Sequence, residues 1–173
     1  MRQSKTEKRT LGAIGTARLA VPDYARGNGI RGGQVERLTA VFNLRIHRAT
    51  SELPAVLTPP IAGKYRLYLG STLTRQAERF VVLHELGHVL AGDADEPTVL
   101  QFNGPLPQAE EVADLFALTG LVRREDCVEG TEWLQERIRE LAPIDDPGWQ
   151  VHRIARLAPR LIRIRRLLDQ ERR

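Results

Sequence analysis

His84-Glu85-Leu86-Gly87-His88 is followed, 22 residues after its second histidine, by Glu110-Glu111-Val112-Ala113-Asp114, and the reading of these two stretches decides how the chain must fold. At about 3.6 residues per turn, His84 and His88 fall one helical turn apart on the same face. Both imidazoles can then reach one metal ion, with Glu85 beside them. Two ligands are not enough, because a catalytic zinc takes three protein ligands and keeps one position open for water. Glu110, on a second helix, is the natural third. Asp114 lies one turn beyond it, where it can accept a hydrogen bond from the free ring nitrogen of a ligating histidine and fix its tautomer. The pattern asks for two helices packed side by side, and it points to zinc hydrolase chemistry.

The flanking residues support helices at both stretches. Ser71 and Thr72 are N-cap types, and Leu73, Ala77, Phe80, Val81, Leu83, Leu86 and Leu90 recur at spacings of three and four, a stripe that buries one helix face. Gly92, followed by Asp93, supplies a left-handed stop, which predicts a core helix of roughly 20 residues. Pro107 opens a second helical pattern, with Ala109, Val112, Ala113, Phe116 and Ala117 apolar and Glu110 and Asp114 on an adjacent stripe. Glu85 on an apolar helix is costly unless something compensates its charge; a bound cation does. Gly87 costs a helix about 1 kcal/mol relative to alanine, so it reads either as a point of close approach or as a tolerated glycine.

Arg79-Phe80 just before HELGH, then Glu110, Asp114, Phe116 and Ala117 on the following helix, resemble the signature of the ImmA/IrrE family of bacterial metallopeptidases. The resemblance spans residues 34 to 122. It implies a zinc-dependent endopeptidase that cleaves helix-turn-helix repressors. After Phe116-Ala117 the family continues to a Leu-Leu-Met-Pro-like ending, where this chain has Leu118-Thr119-Gly120-Leu121-Val122. Many relatives also carry a helix-turn-helix domain, for which this sequence offers no room, so the implied target is a separately encoded repressor. The runner-up is a metal-bearing binding module that sequesters a repressor without cutting it.

At 173 residues with 42% hydrophobic content, the chain can bury one sizeable core. Cys127 is the single cysteine and can form no internal disulfide. Arg18 interrupts the only weakly apolar segment near the start, and no run approaches the roughly 18 apolar residues of a spanning helix. A cytoplasmic protein without a membrane anchor is expected. The net charge of +4 hides a segregation: by formal charge the segments 1–35, 36–92, 93–146 and 147–173 carry about +5, +3, −10 and +6. Either the basic ends dock on the acidic middle or a basic end contacts a partner. Arg153, Arg156, Arg160 and Arg163 fall on one side of a C-terminal helix opposite Val151, Ile154, Leu157, Ala158, Leu161 and Leu168. With no stacking aromatics there, direct nucleic-acid binding is not expected.

The expected fold is α+β: a small, mostly antiparallel three-stranded sheet packed on a helical metallopeptidase core, with a helical C-terminal region. Residues 1–33, polar at the start and glycine-rich at 27–33, read as a flexible tail. Residues 34–173 read as a single domain, with a catalytic core over 34–122 and a helical extension over 123–173. Val35 to Phe42 suggest a helix, Asn43 to Ala49 a strand with Leu44 and Ile46 inward, and Pro54 to Leu57 and Tyr65 to Leu69 two more strands around turns at Pro59-Pro60 and Gly63. Such a sheet offers an edge to an extended substrate or merely supports the helix. Asp93 to Leu106 reads as a loop that shapes the cleft. Thr131 opens a helix through Leu141, Asp146-Pro147 marks another start, and Pro159 is expected to kink or restart the last helix. A second oxyanion donor is sought among His152, Tyr65, Tyr68 and His47, with His152 taken as the candidate.

Overall fold

The computed structural model describes residues 3–100 and 106–171. The chain folds as α1 (Lys5–Ala20), α2 (Gly32–Val41), β1 (Leu44–Ala49), β2 (Ala55–Ile61), β3 (Lys64–Gly70), α3 (Arg75–Ala91), β4 (Thr98–Val99), α4 (Gln108–Leu121), a 3-10 turn (Glu125–Cys127), α5 (Thr131–Leu141), a π-helical turn (Gly148–Arg153) and α6 (Ile154–Gln170). The α+β class stands, but the sheet is mixed and has four strands, in the order β1-β3-β2-β4. Ala62 and Gly63, at φ 51° and 72°, close a tight hairpin whose backbone twist suits antiparallel strands, so β3 returns against β2. It slots between β2 and β1, and having reversed twice it runs parallel to β1. β4 is only two residues long and pairs with Val56 and Leu57; so short a strand shows no periodicity inside the expected loop. Of that loop, residues 101–105 lie outside the described residues.

Pro59 and Pro60 lie within β2, not in a turn, at the point where its register with β3 shifts between Thr58 and Ile61. Prolines lack the ladder donor, and an irregular stretch tolerates that. Leu67, Leu69, Ala55, Leu57 and Leu44 are buried and face the helices. Ile46, expected inward, is 42% exposed: β1 is the outer strand, and only its first residue reaches the helical layer.

α3 and α4 form the centre of the molecule. Thr74, rather than Ser71 or Thr72, caps α3, its side chain accepting from the Ala77 N–H at 3.2 Å, and Gly92 ends it in the left-handed region. Gly87 is a point of close approach: a Cβ there would lie 2.9 Å from Ala113 Cα, so its absence lets the two helices touch backbone to backbone.

The N-terminal segment expected to be a tail is a packed helix. Ser4 and Glu7 form a reciprocal capping box, and Ala13, Ile14, Ala17 and Ala20 are buried. Arg9 pairs with Asp93 at the end of α3. The glycine-rich stretch is held by backbone bonds from Ile30 N–H to Gly120 O at 2.7 Å and from Arg124 N–H to Gly27 O at 2.9 Å. Buried Arg165 of α6 donates to the carbonyls of Ala25, Thr119 and Val122. At the C-terminus, Pro159 sits inside one continuous helix, and the irregularity lies earlier, in the π-turn at Gly148–Arg153. No helix among the described residues is long and apolar enough to cross a membrane.

Candidate metal centre

The face that α3 turns toward α4 carries His84, Glu85 and His88, all but fully buried. The facing stripe of α4 presents Glu110 and Asp114. His84 and His88 approach through their Nε2 atoms at 3.1 Å, and the Glu110 carboxylate reaches both, with Oε2 3.4 Å from His84 Nε2 and Oε1 3.1 Å from His88 Nε2. Four ligands placed tetrahedrally around a cation at zinc-like bond lengths sit about 3.3 Å from one another. The three observed separations bracket that value, so the donor set fits a divalent cation. The group can hold a metal ion as it stands.

Asp114, also buried, receives the other side of His84: its Oδ1 lies 2.9 Å from His84 Nδ1. That bond puts the proton of a neutral imidazole on Nδ1 and leaves the Nε2 lone pair toward Glu110 and His88. Glu85 Oε2 accepts a hydrogen bond from the Thr98 hydroxyl at 3.1 Å, which ties β4 to the site. Its Oε1 is buried and without a hydrogen-bond partner among the described residues. Phe80 packs beside His84, with ring centroids 6.0 Å apart, and against Trp149 at 4.7 Å.

The electrostatics without a cation follow from this geometry. Burial disfavours the charged form of His84, but hydrogen bonds and charges from Asp114 and Glu110 outweigh it and push its pKa up to about 10. Burial would likewise raise Glu110, yet hydrogen bonds to His84 and His88 win and hold it well below the usual carboxylate range. For Glu85 burial dominates over the neighbouring imidazoles and raises its pKa. Two buried carboxylates, Glu85 and Asp114, and the partly buried Glu110 around two imidazoles are tolerable only with positive charge among them. Here a proton on His84 supplies part of it.

Arg153 supplies more. Its Nη2 lies 3.0 Å from Glu110 Oε2 and its Nε 2.9 Å from Asp114 Oδ2. Arg153 belongs to the arginine stripe of the C-terminal helix but is buried, whereas its neighbour His152, the expected oxyanion donor, is exposed. The signal was the matching of charge: the other arginines of the stripe also meet acids, Arg156 and Arg160 on Glu111 of α4 and Arg163 on Glu7 of α1. His47 and Tyr68 stack on each other at 5.2 Å, on the face of the sheet opposite the buried leucines. Tyr65 packs at the margin of the core.

A sheet-supported helix carrying two histidines and a glutamate, with a carboxylate donated by the next helix, is the architecture of a metallopeptidase. The chain matches the Peptidase_M78 family model, the IrrE N-terminal-like domain, over residues 35–126, more than half its length, and it belongs to that family. No curated protein and no solved structure matches it.

Proposed function

We propose that this protein is a zinc-dependent endopeptidase of the cytoplasm that cleaves a separately encoded repressor of helix-turn-helix type. The observation that carries the catalytic part is the convergence of His84, His88 and Glu110 next to a buried glutamate with one free oxygen. His84, His88 and Glu110 would hold a zinc ion, which when bound would supply the Lewis acidity that activates water and polarises a peptide carbonyl. Glu85 takes up the proton released as water attacks and passes it to the leaving amine. Thr98, by holding Oε2, leaves Oε1 for the transfer. Asp114 keeps His84 in the tautomer that presents a lone pair. β4 is an outer strand of the sheet, so an extended peptide adding to it would run past Glu85.

The repressor assignment is an extension of the family resemblance. The test is to mix the purified protein with candidate repressors, with and without a chelator, and look for a new peptide band. Cleavage by the wild type, lost with chelator and lost at least 100-fold in Glu85→Gln while metal content is kept, is the expected result. A complex that forms without any cut would instead mark a module that sequesters its partner.

A further inference from the structure

We infer that Arg153 is a positioning residue of the metal centre, one guanidinium that sets the orientation of both Glu110 and Asp114, and that the C-terminal helical region is therefore part of the site. The inference rests on the reading that His84, His88 and Glu110 hold a cation. Arg153 lies outside the matched segment 35–126, yet it is only 5% exposed and reaches both α4 carboxylates.

A carboxylate rotates almost freely about its last bond, so nothing intrinsic decides which oxygen of Glu110 meets which imidazole. Arg153 decides it: with Oε2 drawn to Nη2, Oε1 is left against His88. The same planar group sets its Nε 2.9 Å from Asp114 Oδ2, an ion pair by charge and proximity without hydrogen-bond alignment, leaving Oδ1 for His84 Nδ1. One side chain thus fixes a ligand directly and a second ligand through its orienting partner. Only a fork of fixed geometry can address both acids at once; an ammonium is a point charge.

The backbone is built to deliver this group. Asp146 Oδ1 accepts from the Trp149 N–H at 3.1 Å and Trp149 Nε1 donates to Ala142 O at 3.0 Å, seating the indole against Phe80 behind His84. From that anchor the π-turn ends on Arg153. Turns of this type are uncommon and gather at functional positions. The next arginines of α6 serve a different purpose, since Arg156 and Arg160 meet Glu111 and not the donors.

The test is zinc affinity, measured on the full chain by competition with a chromophoric chelator, with far-ultraviolet circular dichroism to check the fold. Arg153→Ala is expected to bind zinc about 10- to 100-fold more weakly, and added guanidinium should restore part of the loss. Arg153→Lys, which keeps the charge and serves even if the alanine variant does not fold, should still lose about tenfold. Arg156→Ala, the control for general loosening of α6, should bind like the wild type. Equal zinc affinity in wild type and Arg153→Lys overturns this inference alone, as does an equal loss in Arg156→Ala. A wild-type chain that takes up no zinc overturns the metal reading and this inference with it.

Discussion

Replacing Gly87 by alanine tests whether the contact between α3 and α4 sets the spacing of the donors. The added Cβ would lie 2.9 Å from Ala113 Cα, 3.3 Å from Ala113 Cβ and 3.3 Å from Ala113 O. Carbon atoms rest at about 3.5–4.0 Å, so relief requires the helices to part by roughly 0.6–1 Å. No flexible side chain stands there to yield. The substitution returns about 1 kcal/mol of helix propensity against an overpacking cost of about 1–3 kcal/mol, for a net loss of up to about 2 kcal/mol. The effect on the metal should be larger than the effect on stability suggests. Ala113 precedes Asp114 and follows Glu110 by three residues, while ligand bonds tolerate deviations of only about 0.2 Å. Zinc affinity should fall about 10- to 100-fold. Denaturant unfolding of the metal-free protein and chelator competition measure the two quantities separately. Gly12→Ala is the matched control, since a Cβ there meets nothing within 4 Å, and it should stabilise by about 0.5–1 kcal/mol. A Gly87→Ala protein that gains stability as Gly12→Ala does, and binds zinc like the wild type, would refute the reasoning.

Removing a donor should weaken metal retention directly: His88→Ala and Glu110→Gln are each expected to lower metal content after dialysis, and unchanged content by elemental analysis would reject that ligand. The metal-free protein should show a stability maximum between about pH 4.5 and 6.5. His84, raised from 6.5 to about 10, contributes fully below 6.5 and loses its contribution as pH climbs to 10; Glu110, depressed below its ordinary 4.5, contributes above 4.5 and loses it as pH falls. Urea unfolding in the presence of chelator across pH 4–10 checks both limbs, and a stability that rises from pH 6.5 to 10 would contradict the His84 limb.

The site was more legible in sequence than the frame around it, for physical reasons that differ by element. Histidines four apart and a carboxylate on the next helix are local chemistry, and helical spacing alone brings them to one face. Helix α1 carried a legible start, the Ser4 and Glu7 spacing of a capping box, but its buried apolar residues are three alanines and one isoleucine. Alanine scarcely marks a hydrophobic period, least of all among neighbouring glycines and charges. β4 was hidden by its length. The order of the strands was invisible because it depends on which edge of a hairpin meets β1, and alternation within a strand says nothing about its neighbours. The arginine stripe was legible as a pattern but not in its purpose. A wet face and a face of ion pairs share the same spacing, and only the partner elements tell them apart.

Those partners show why the charge segregation along the chain has a structural meaning beyond attraction at the surface. Exposed pairs such as Arg123 with Glu125 contribute little. Arg153 is different, because it lies buried between acids that the metal site requires. With Glu85, Glu110 and Asp114 ionised and the imidazoles neutral, one guanidinium leaves two negative charges uncompensated in a buried pocket. A divalent cation closes that balance. Without one, a proton on His84 closes half of it, which is the origin of that residue's pKa near 10. Proton and metal thus compete for one role, so at neutral pH cation uptake must release the His84 proton. Calorimetric titration of zinc at pH 7 in buffers of different ionisation enthalpy should therefore report about one proton released per ion bound. A binding enthalpy independent of buffer would mean that His84 is already neutral and that the pocket balances its charge in some other way.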